Sequence, residues 1–557
     1  MKNVSLYLIL LLTIAACKAP QYGFRTKDIE SAQKLYGLDF EKEAIDTMYN
    51  YLGRNKRGYE NMRKFKTALN TFPAMTFDPH PHGFEPPKGT QQRYQPNIPG
   101  GIVLPETEEE IAFLNITQLA ALLKSQQLTS TRLTQIYLDR IAQYDQQLEA
   151  VITVTDSMAL AQAKRADEEI AAGQYRGILH GIPYGVKDLV AVEGYPTTWG
   201  AAPYQDQMLE ETASVVNMLE AQGAVLIAKL VSGSLARGDV WFGGKTKNPW
   251  DLSQGASGSS AGSGSATAAG LVAFSLGTET LGSITSPATR NGVTGLRPTY
   301  GRVSRYGVMS LSWSMDKVGP ICRSAEDCEI VFNAIYGFDP NDPTTNRVPF
   351  EKELRPIDQL KVAYLKADAD RDTTESGRNL RTQVSLLETE FGIEPDSIEL
   401  PKDFPFQVFD IILRAEAGAF FDELIRSGKV DEMVEQQQGS RANSLRQALF
   451  IPAVDYLQAN RHRRALIEEI NQLFKDYDVI IAPTFGGRQL QITNLTGHPV
   501  ISVPTGFDDK GRPTSLTFIG NLYQEGTILH MAKAYQALTE YDEKHPPLFY
   551  KKAIADQ

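Results

Sequence analysis

The sequence predicts an α/β protein, one large domain of helices packed around a central sheet and preceded by a helical extension. Three observations lead there. From about residue 114 onward, short strand-like apolar runs alternate with segments of helical periodicity, the pattern of a layered α/β structure. No internal repeat or long linker breaks residues 114–545, and a body of that size suits an open sheet of roughly 8 to 15 strands. The 557-residue chain is 42% hydrophobic and 22% charged, which excludes disorder and supplies a large core.

Taken in order, Met1-Lys2-Asn3-Val4-Ser5 carries one cation and runs into the apolar stretch Leu6 to Ala16. That stretch is shorter than the ~20 residues of a spanning helix and reads as a secretory signal. Its end, Ile14-Ala15-Ala16-Cys17, resembles the lipobox of bacterial lipoproteins. The resemblance implies that residues 1–16 are removed, that Cys17 is acylated, and that the body is exported and lipid-anchored in the cell envelope. Residues 17–70 form the helical extension, with Ile45, Met48, Tyr49 and Leu52 making one apolar stripe. Residues 71–113, rich in Pro and Gly, read as an extended connector. Its His80 and His82 lack a third ligand nearby, so no metal is expected.

In the body, Leu133, Ile136, Tyr137, Ile141 and Tyr144 mark an amphipathic helix, Ala150 to Thr155 a strand, 157–172 a helix and Ala224 to Leu230 a buried strand. Later strands are expected at Lys361 to Leu365, Val479 to Ala482, Val500 to Val503 and Ser515 to Ile519, with helices over 409–426 and 456–475. Ser324-x-x-Asp327 is a capping-box-like helix start between Cys322 and Cys328. An exported chain permits a disulfide there, and two buried thiols fit the spacing equally. Residues 546–557 are a tail. With 56 Lys and Arg against 67 Asp and Glu, the net charge is −11 and no long basic run exists, so a nucleic-acid partner is excluded.

The unusual stretch is Gly255-Ala-Ser-Gly-Ser259-Ser260-Ala-Gly262-Ser-Gly-Ser265, followed after an apolar run by Gly277-Thr-Glu-Thr-Leu-Gly-Ser283. Composition alone suggests a flexible linker, but it lies inside the body and leads into a buried strand. Gly258-Ser-Ser260-Ala-Gly262 also matches the G-x-S-x-G nucleophile elbow. That elbow needs a hydrophobic strand just before it, and Lys247 to Gln254 is polar and broken by Pro249. Gly243-Gly244-Lys245-Thr246 imitates the end of a P-loop, with Asp239 where the first Gly is required.

Taken with Gly181-Ile-Pro-Tyr-Gly-Val-Lys187-Asp, with Gly295-Leu-Arg-Pro-Thr-Tyr-Gly, with Lys317-Val-Gly-Pro320 and with Asn494-Leu-Thr-Gly-His-Pro499, the segment is similar to the amidase signature family over most of residues 114–545. The resemblance implies a central mixed sheet covered by helices, and hydrolysis of a carboxamide through a seryl acyl-enzyme that releases ammonia or an amine. By motif, the family's Lys base falls on Lys187, its Ser after a cis peptide bond on Ser259, and its nucleophile on Ser283. The backbone of Thr280, Leu281, Gly282 and Ser283 would form the oxyanion hole. No cofactor and no metal is implied.

The chemistry needs these residue types. An amide carbonyl is a poor electrophile, so its hydrolysis requires an activated nucleophile and a site for the tetrahedral oxyanion. A Lys at its usual pKa of ~10.4 is charged and cannot act as a base until burial disfavours the ammonium. The apolar runs on either side of Lys187 make such enclosure plausible, whereas in isolation the Lys187-Asp188 pair would read as a surface feature.

Three positions depart from the family pattern. Glu279, Leu281 and Thr285 stand where Asp, Gly and Arg are usual, and Thr285 lacks the cation that binds a carboxylate in glutamine-using relatives. The expected substrate is therefore a small amide or a peptide amide. The alternatives are a non-catalytic amide-binding lipoprotein and a subunit of a glutamine-dependent amidotransferase, and the sequence leaves both a monomer and a homodimer open.

Overall fold

The computed structural model describes residues 21–65, 67–91 and 94–550. The expected signal peptide, Cys17 and residues 551–557 lie outside the described residues. The chain divides into two compact units, one ending at Thr71 and one running from Phe72. In the first, helices Thr26–Leu35 and Lys42–Met62 flank a short turn. Ile45 is buried and Tyr49 and Leu52 are half-buried, as the periodicity requires.

The second unit is built on eleven strands of one sheet. They are β1 (Val151–Val154), β2 (Pro183–Lys187), β3 (Val225–Leu230), β4 (Phe274–Glu279), β5 (Thr294–Arg297) and β6 (Lys317–Cys322). They continue as β7 (Val362–Tyr364), β8 (Asp396–Ser397), β9 (Val479–Pro483), β10 (Val500–Phe507) and β11 (Pro513–Gly520). The spatial order is β1-β3-β2-β4-β6-β5-β10-β11-β9-β7-β8. The sheet is mixed: β3, β2 and β4 run parallel, while β6 lies antiparallel to both β4 and β5. Helices cover it, as the α/β pattern predicts.

Strands β2, β4 and β6 are buried along their whole length, so they carry no alternating pattern and escape a period-two reading. The expected helix over 409–426 is broken into Asp410–Phe420 and Asp422–Arg426. Ser324 caps helix Ala325–Ile335 by accepting from the Asp327 N–H at 3.1 Å. Cys322 and Cys328 are free, buried thiols, which settles the alternative left open by their spacing. Burial raises the Cys322 pKa well above the ordinary thiol value.

The Gly/Ser stretch is no linker. Residues Ala261–Ala268 form a completely buried helix that packs under β4, with Ser263 Oγ donating to Leu276 O at 3.0 Å. A Cβ on Gly262 would come within 2.2 Å of Ala150 O. Small residues let this helix approach neighbouring backbone, so a composition that resembles disorder belongs to the most tightly packed part of the core. His80 and His82, on the Pro/Gly-rich segment, lie against the body: His80 Nε2 meets Tyr523 Oη at 2.7 Å, and Glu468 accepts from the His82 N–H at 2.9 Å.

Candidate active site

Topology brings the expected residues to one edge. Because β2 and β4 are parallel neighbours, with Val186 opposite Leu276, their C-terminal ends adjoin and deliver Lys187 beside Thr278. Strand β6 is antiparallel to β4 with Lys317 opposite Glu279, so the residue just before it, Asp316, arrives at the same edge. The loop that follows β4 holds Thr280, Leu281, Gly282 and Ser283 before helix Thr285–Asn291 begins. Ends of parallel strands are where an open α/β sheet leaves a crevice for chemistry.

Lys187 is fully buried. Its Nζ lies 2.7 Å from Ser259 Oγ and 2.9 Å from Thr278 Oγ1, and it forms no ion pair among the described residues. Loss of hydration lowers its pKa from 10.5 to about 7; the negative charges of Asp316 and Glu279 oppose that fall, and Arg441 adds to it. The adjacent Asp188 does not compensate Lys187: its carboxylate pairs with buried Lys229 at 2.7 Å and accepts from the Thr198 N–H at 2.8 Å. The sequence-adjacent pair is thus two separate buried systems rather than one surface feature.

The peptide bond between Gly258 and Ser259 is cis. A Cβ on Gly258 would lie 1.8 Å from Gly238 O, so only glycine fits there. The Gly233 N–H donates to Ser259 O at 3.0 Å, which makes loop 233–238 the wall of the Ser259 turn. Within that loop Leu235 and Ala236 take left-handed φ values of 46° and 59°. Their carbonyls accept from Arg441 Nε and Nη2 at 3.0 and 3.2 Å. Arg441 is therefore the clamp of this loop, and nothing in its local sequence announces the role.

Ser283 is joined to the same turn through backbone, the Ser260 N–H donating to Ser283 O at 3.3 Å. Its own hydroxyl has no hydrogen-bond partner among the described residues. The N–H groups of Leu281, Gly282 and Ser283 likewise find no acceptor among the described residues. Leu281 points outward and is 41% exposed. Thr280 donates its hydroxyl to Asp316, whose other oxygen accepts from Leu311 N and Ser312 N at 2.8 and 2.9 Å.

Glu279 is the hidden organiser of this loop. One carboxylate oxygen accepts the N–H groups of Ile284 and Thr285 at 2.8 and 2.9 Å. The other takes Arg297 Nη1 at 2.6 Å and Asn494 Nδ2 at 2.8 Å. Burial alone would raise its pKa, but Arg297 and these donors outweigh burial and pull it down to about 2. The Thr285 hydroxyl also faces Glu279, at 3.1 Å. Asn494 and the carbonyl of His498, which accepts from Arg297 Nη2 at 2.9 Å, come from the distant Asn494 to Pro499 motif.

A nucleophile elbow at Ser260 would also need a downstream His, and His498 and His530 are both engaged elsewhere. His498 bonds to Thr496 Oγ1 at 2.8 Å and stacks on Phe474, with burial lowering its pKa to about 3, while His530 meets Arg355 O at 3.0 Å. Tyr184 and Trp199 are packing residues, Tyr184 stacked on Phe274 at 5.2 Å and Trp199 set among Tyr204, Phe420 and Phe421.

Comparison with known proteins shows the family and the fold. The sequence profile of the amidase family matches residues 132–493. The chain is 32% identical over 483 residues to the A-type subunit of the glutamyl-tRNA(Gln) amidotransferase of Chromobacterium violaceum, covering 78% of this chain and 99% of that one. The peptide amidase of Stenotrophomonas maltophilia superposes with a TM-score of 0.69 at 29% identity, over 78% of this chain and 99% of its own. An amidase family protein of Bacillus anthracis gives a TM-score of 0.71 at 25% identity, over 79% of this chain and 93% of that one.

Proposed function

Because the chain belongs to the amidase family and is an amide-hydrolysing enzyme, we propose that it works through Ser283, Ser259 and Lys187 on a small or peptide-derived carboxamide at the cell envelope. The observation that carries this reading is a buried Lys187 without a carboxylate partner, its Nζ 2.7 Å from Ser259 Oγ. In that setting the neutral amine accepts the Ser259 proton while Ser259 takes the Ser283 proton. The Ser283 oxygen then bonds to the amide carbon. Negative charge on the carbonyl oxygen is met by the unpaired N–H groups of Leu281 to Ser283, each such donor being worth on the order of 3 kcal/mol. On collapse the C–N bond breaks, and the proton returns through Ser259 to the leaving nitrogen. Water then attacks the ester by the same relay and releases the acid.

A peptide amide is favoured over free glutamine because Thr285 turns inward to Glu279 and offers no cation. The Ile14-Ala15-Ala16-Cys17 signature supports export and a lipid anchor on Cys17. A fluorophosphonate probe tests the chemistry. Labelling should vanish in Ser283→Ala and weaken in Lys187→Ala, whereas an unlabelled wild type would point to amide binding without turnover. Glutaminase activity that appears only with partner subunits would instead favour the amidotransferase reading.

A further inference from the structure

The N-terminal helical unit carries a surface that its own packing leaves bare. Tyr22 and Phe24 cover one face of helix Lys42–Met62 by packing on Tyr49 at centroid distances of 5.5 and 5.3 Å. The Tyr22 ring also fills the space over Gly53. On the opposite face Tyr51, Tyr59 and Met62 are 64%, 52% and 63% exposed, and Phe65 just beyond the helix is 81% exposed. At about 100° per residue these three helical positions fall within an arc of about 80°, roughly opposite Tyr49 and Gly53. Apart from Asn55, which lies inside the same arc, this is an apolar stripe of aromatic and Met side chains. Soluble surfaces rarely leave such a patch unused.

Charge beside the stripe is one-sided. Arg54 on one side and Lys56 and Arg63 on the other flank it, Glu60 is the ion-pair partner of Lys56, and Arg57 lies on the covered face, 4.8 Å from the Tyr22 ring centroid, in a chain whose net charge is −11. The Arg54 guanidinium sits 4.2 Å from the Tyr51 ring centroid, so its stem shares the apolar surface while its head reaches the edge. Aromatic residues flanked by cations are the composition of a helix lying in a bilayer interface. A second copy of the stripe would set three flanking cations against three, which disfavours self-pairing.

We propose that this stripe of helix Lys42–Met62 lies on an anionic lipid surface and holds the protein's N-terminal unit against the membrane. The inference rests on the envelope reading, because a lipid on Cys17 would hold this helix near a bilayer. The stripe is nevertheless a lipid contact in its own right and does not need the acyl chain to bind.

The test uses the chain from residue 18 onward, which keeps every described residue and carries no lipid. It is floated with vesicles of phosphatidylcholine alone or mixed with phosphatidylglycerol, in low and half-molar salt. Wild type should float with the anionic vesicles at low salt and less so at high salt. The Tyr51→Ser/Met62→Ser/Phe65→Ser variant should lose about tenfold in partitioning and Arg54→Gln/Lys56→Gln several-fold, both with unchanged amide hydrolysis. Wild type left unbound, or a stripe variant that floats equally well, would overturn the proposal. So would a stripe variant whose unfolding temperature or oligomeric state changes, since the stripe would then be covered by protein. Palmitate incorporation into the full chain, compared with Cys17→Ala, reads the anchor separately, so failure of one reading is distinguishable from failure of the other.

Discussion

The position of the acid limb in the rate-versus-pH profile is the sharpest consequence of the site. With the Lys187 pKa lowered from 10.5 to about 7, roughly half the enzyme holds the neutral amine at pH 7, whereas at the unshifted value only about 3 molecules in 10,000 would. Below pH 7 kcat/KM should fall about tenfold per pH unit, reaching about one hundredth of its plateau at pH 5. Two neighbours move the limb in opposite directions. Arg441 pushes the Lys187 pKa down and Asp316 pulls it up, so Arg441→Gln should carry the limb to higher pH and Asp316→Asn to lower pH. The assay is ammonia or amine release from a peptide amide across pH 5 to 10, read as the midpoint of the limb rather than its height. Damage to the turnover geometry lowers the plateau without moving the midpoint. A profile flat from pH 5 to 9, or both variants shifting the same way, would refute a neutral Lys187 as the base.

Further outcomes follow from the same contacts. Lys187→Met should abolish hydrolysis and also remove a stability slope: the folded state releases this proton first, so wild-type stability rises as pH climbs from about 7 to 10.5, and urea melts of the variant should lack that rise. Glu279→Gln leaves buried Arg297 uncompensated and should cost about 3 to 5 kcal/mol by denaturant unfolding. The stability given by the Glu279 charge is present above pH 4.5 and is lost as pH falls toward 2. Thr280→Val removes the hydroxyl that Asp316 accepts and should lower kcat with little change in KM.

Much of the architecture was legible where periodicity is clean. Ser515 to Ile519 emerges as the centre of β11, Val500 to Val503 as the first half of β10, and 456–475 lies inside helix Ala453–Asp476. Strands β2 and β6 are missing from the sequence reading although the equally buried β3 is present, because Gly, Pro and Lys interrupt their apolar runs. At the site, Lys187, Ser259 and Ser283 came from motif resemblance, and the sheet register brings their segments together. Thr278 could have been found: it lies two residues before Thr280, at the end of a strand whose parallel neighbour ends in Lys187. Arg441 could not, since its partners are the carbonyls of Leu235 and Ala236, and carbonyl acceptors leave no sequence signature.

Burial is what lowers the Lys187 pKa, and the way its acidic neighbours are occupied limits how far they oppose it. Three carboxylates stand next to it in sequence or in space, and any one left without donors would hold the ammonium in place. Asp188 is spent on Lys229 and Thr198. Glu279 is divided between Arg297, Asn494 and the start of helix Thr285–Asn291. Asp316 is covered by Thr280 and two backbone N–H groups. Each acid has its own donors from a different segment, so the only groups within hydrogen-bonding reach of Lys187 Nζ among the described residues are the Ser259 hydroxyl and the hydroxyl and carbonyl of Thr278. The departure at Glu279 fits this logic: one side chain ties the helix start to Arg297, and the Thr285 hydroxyl, where glutamine-using relatives carry a cation, becomes one more donor to it. The same buried carboxylate thus holds the Thr285 hydroxyl and stands among the charged neighbours of Lys187.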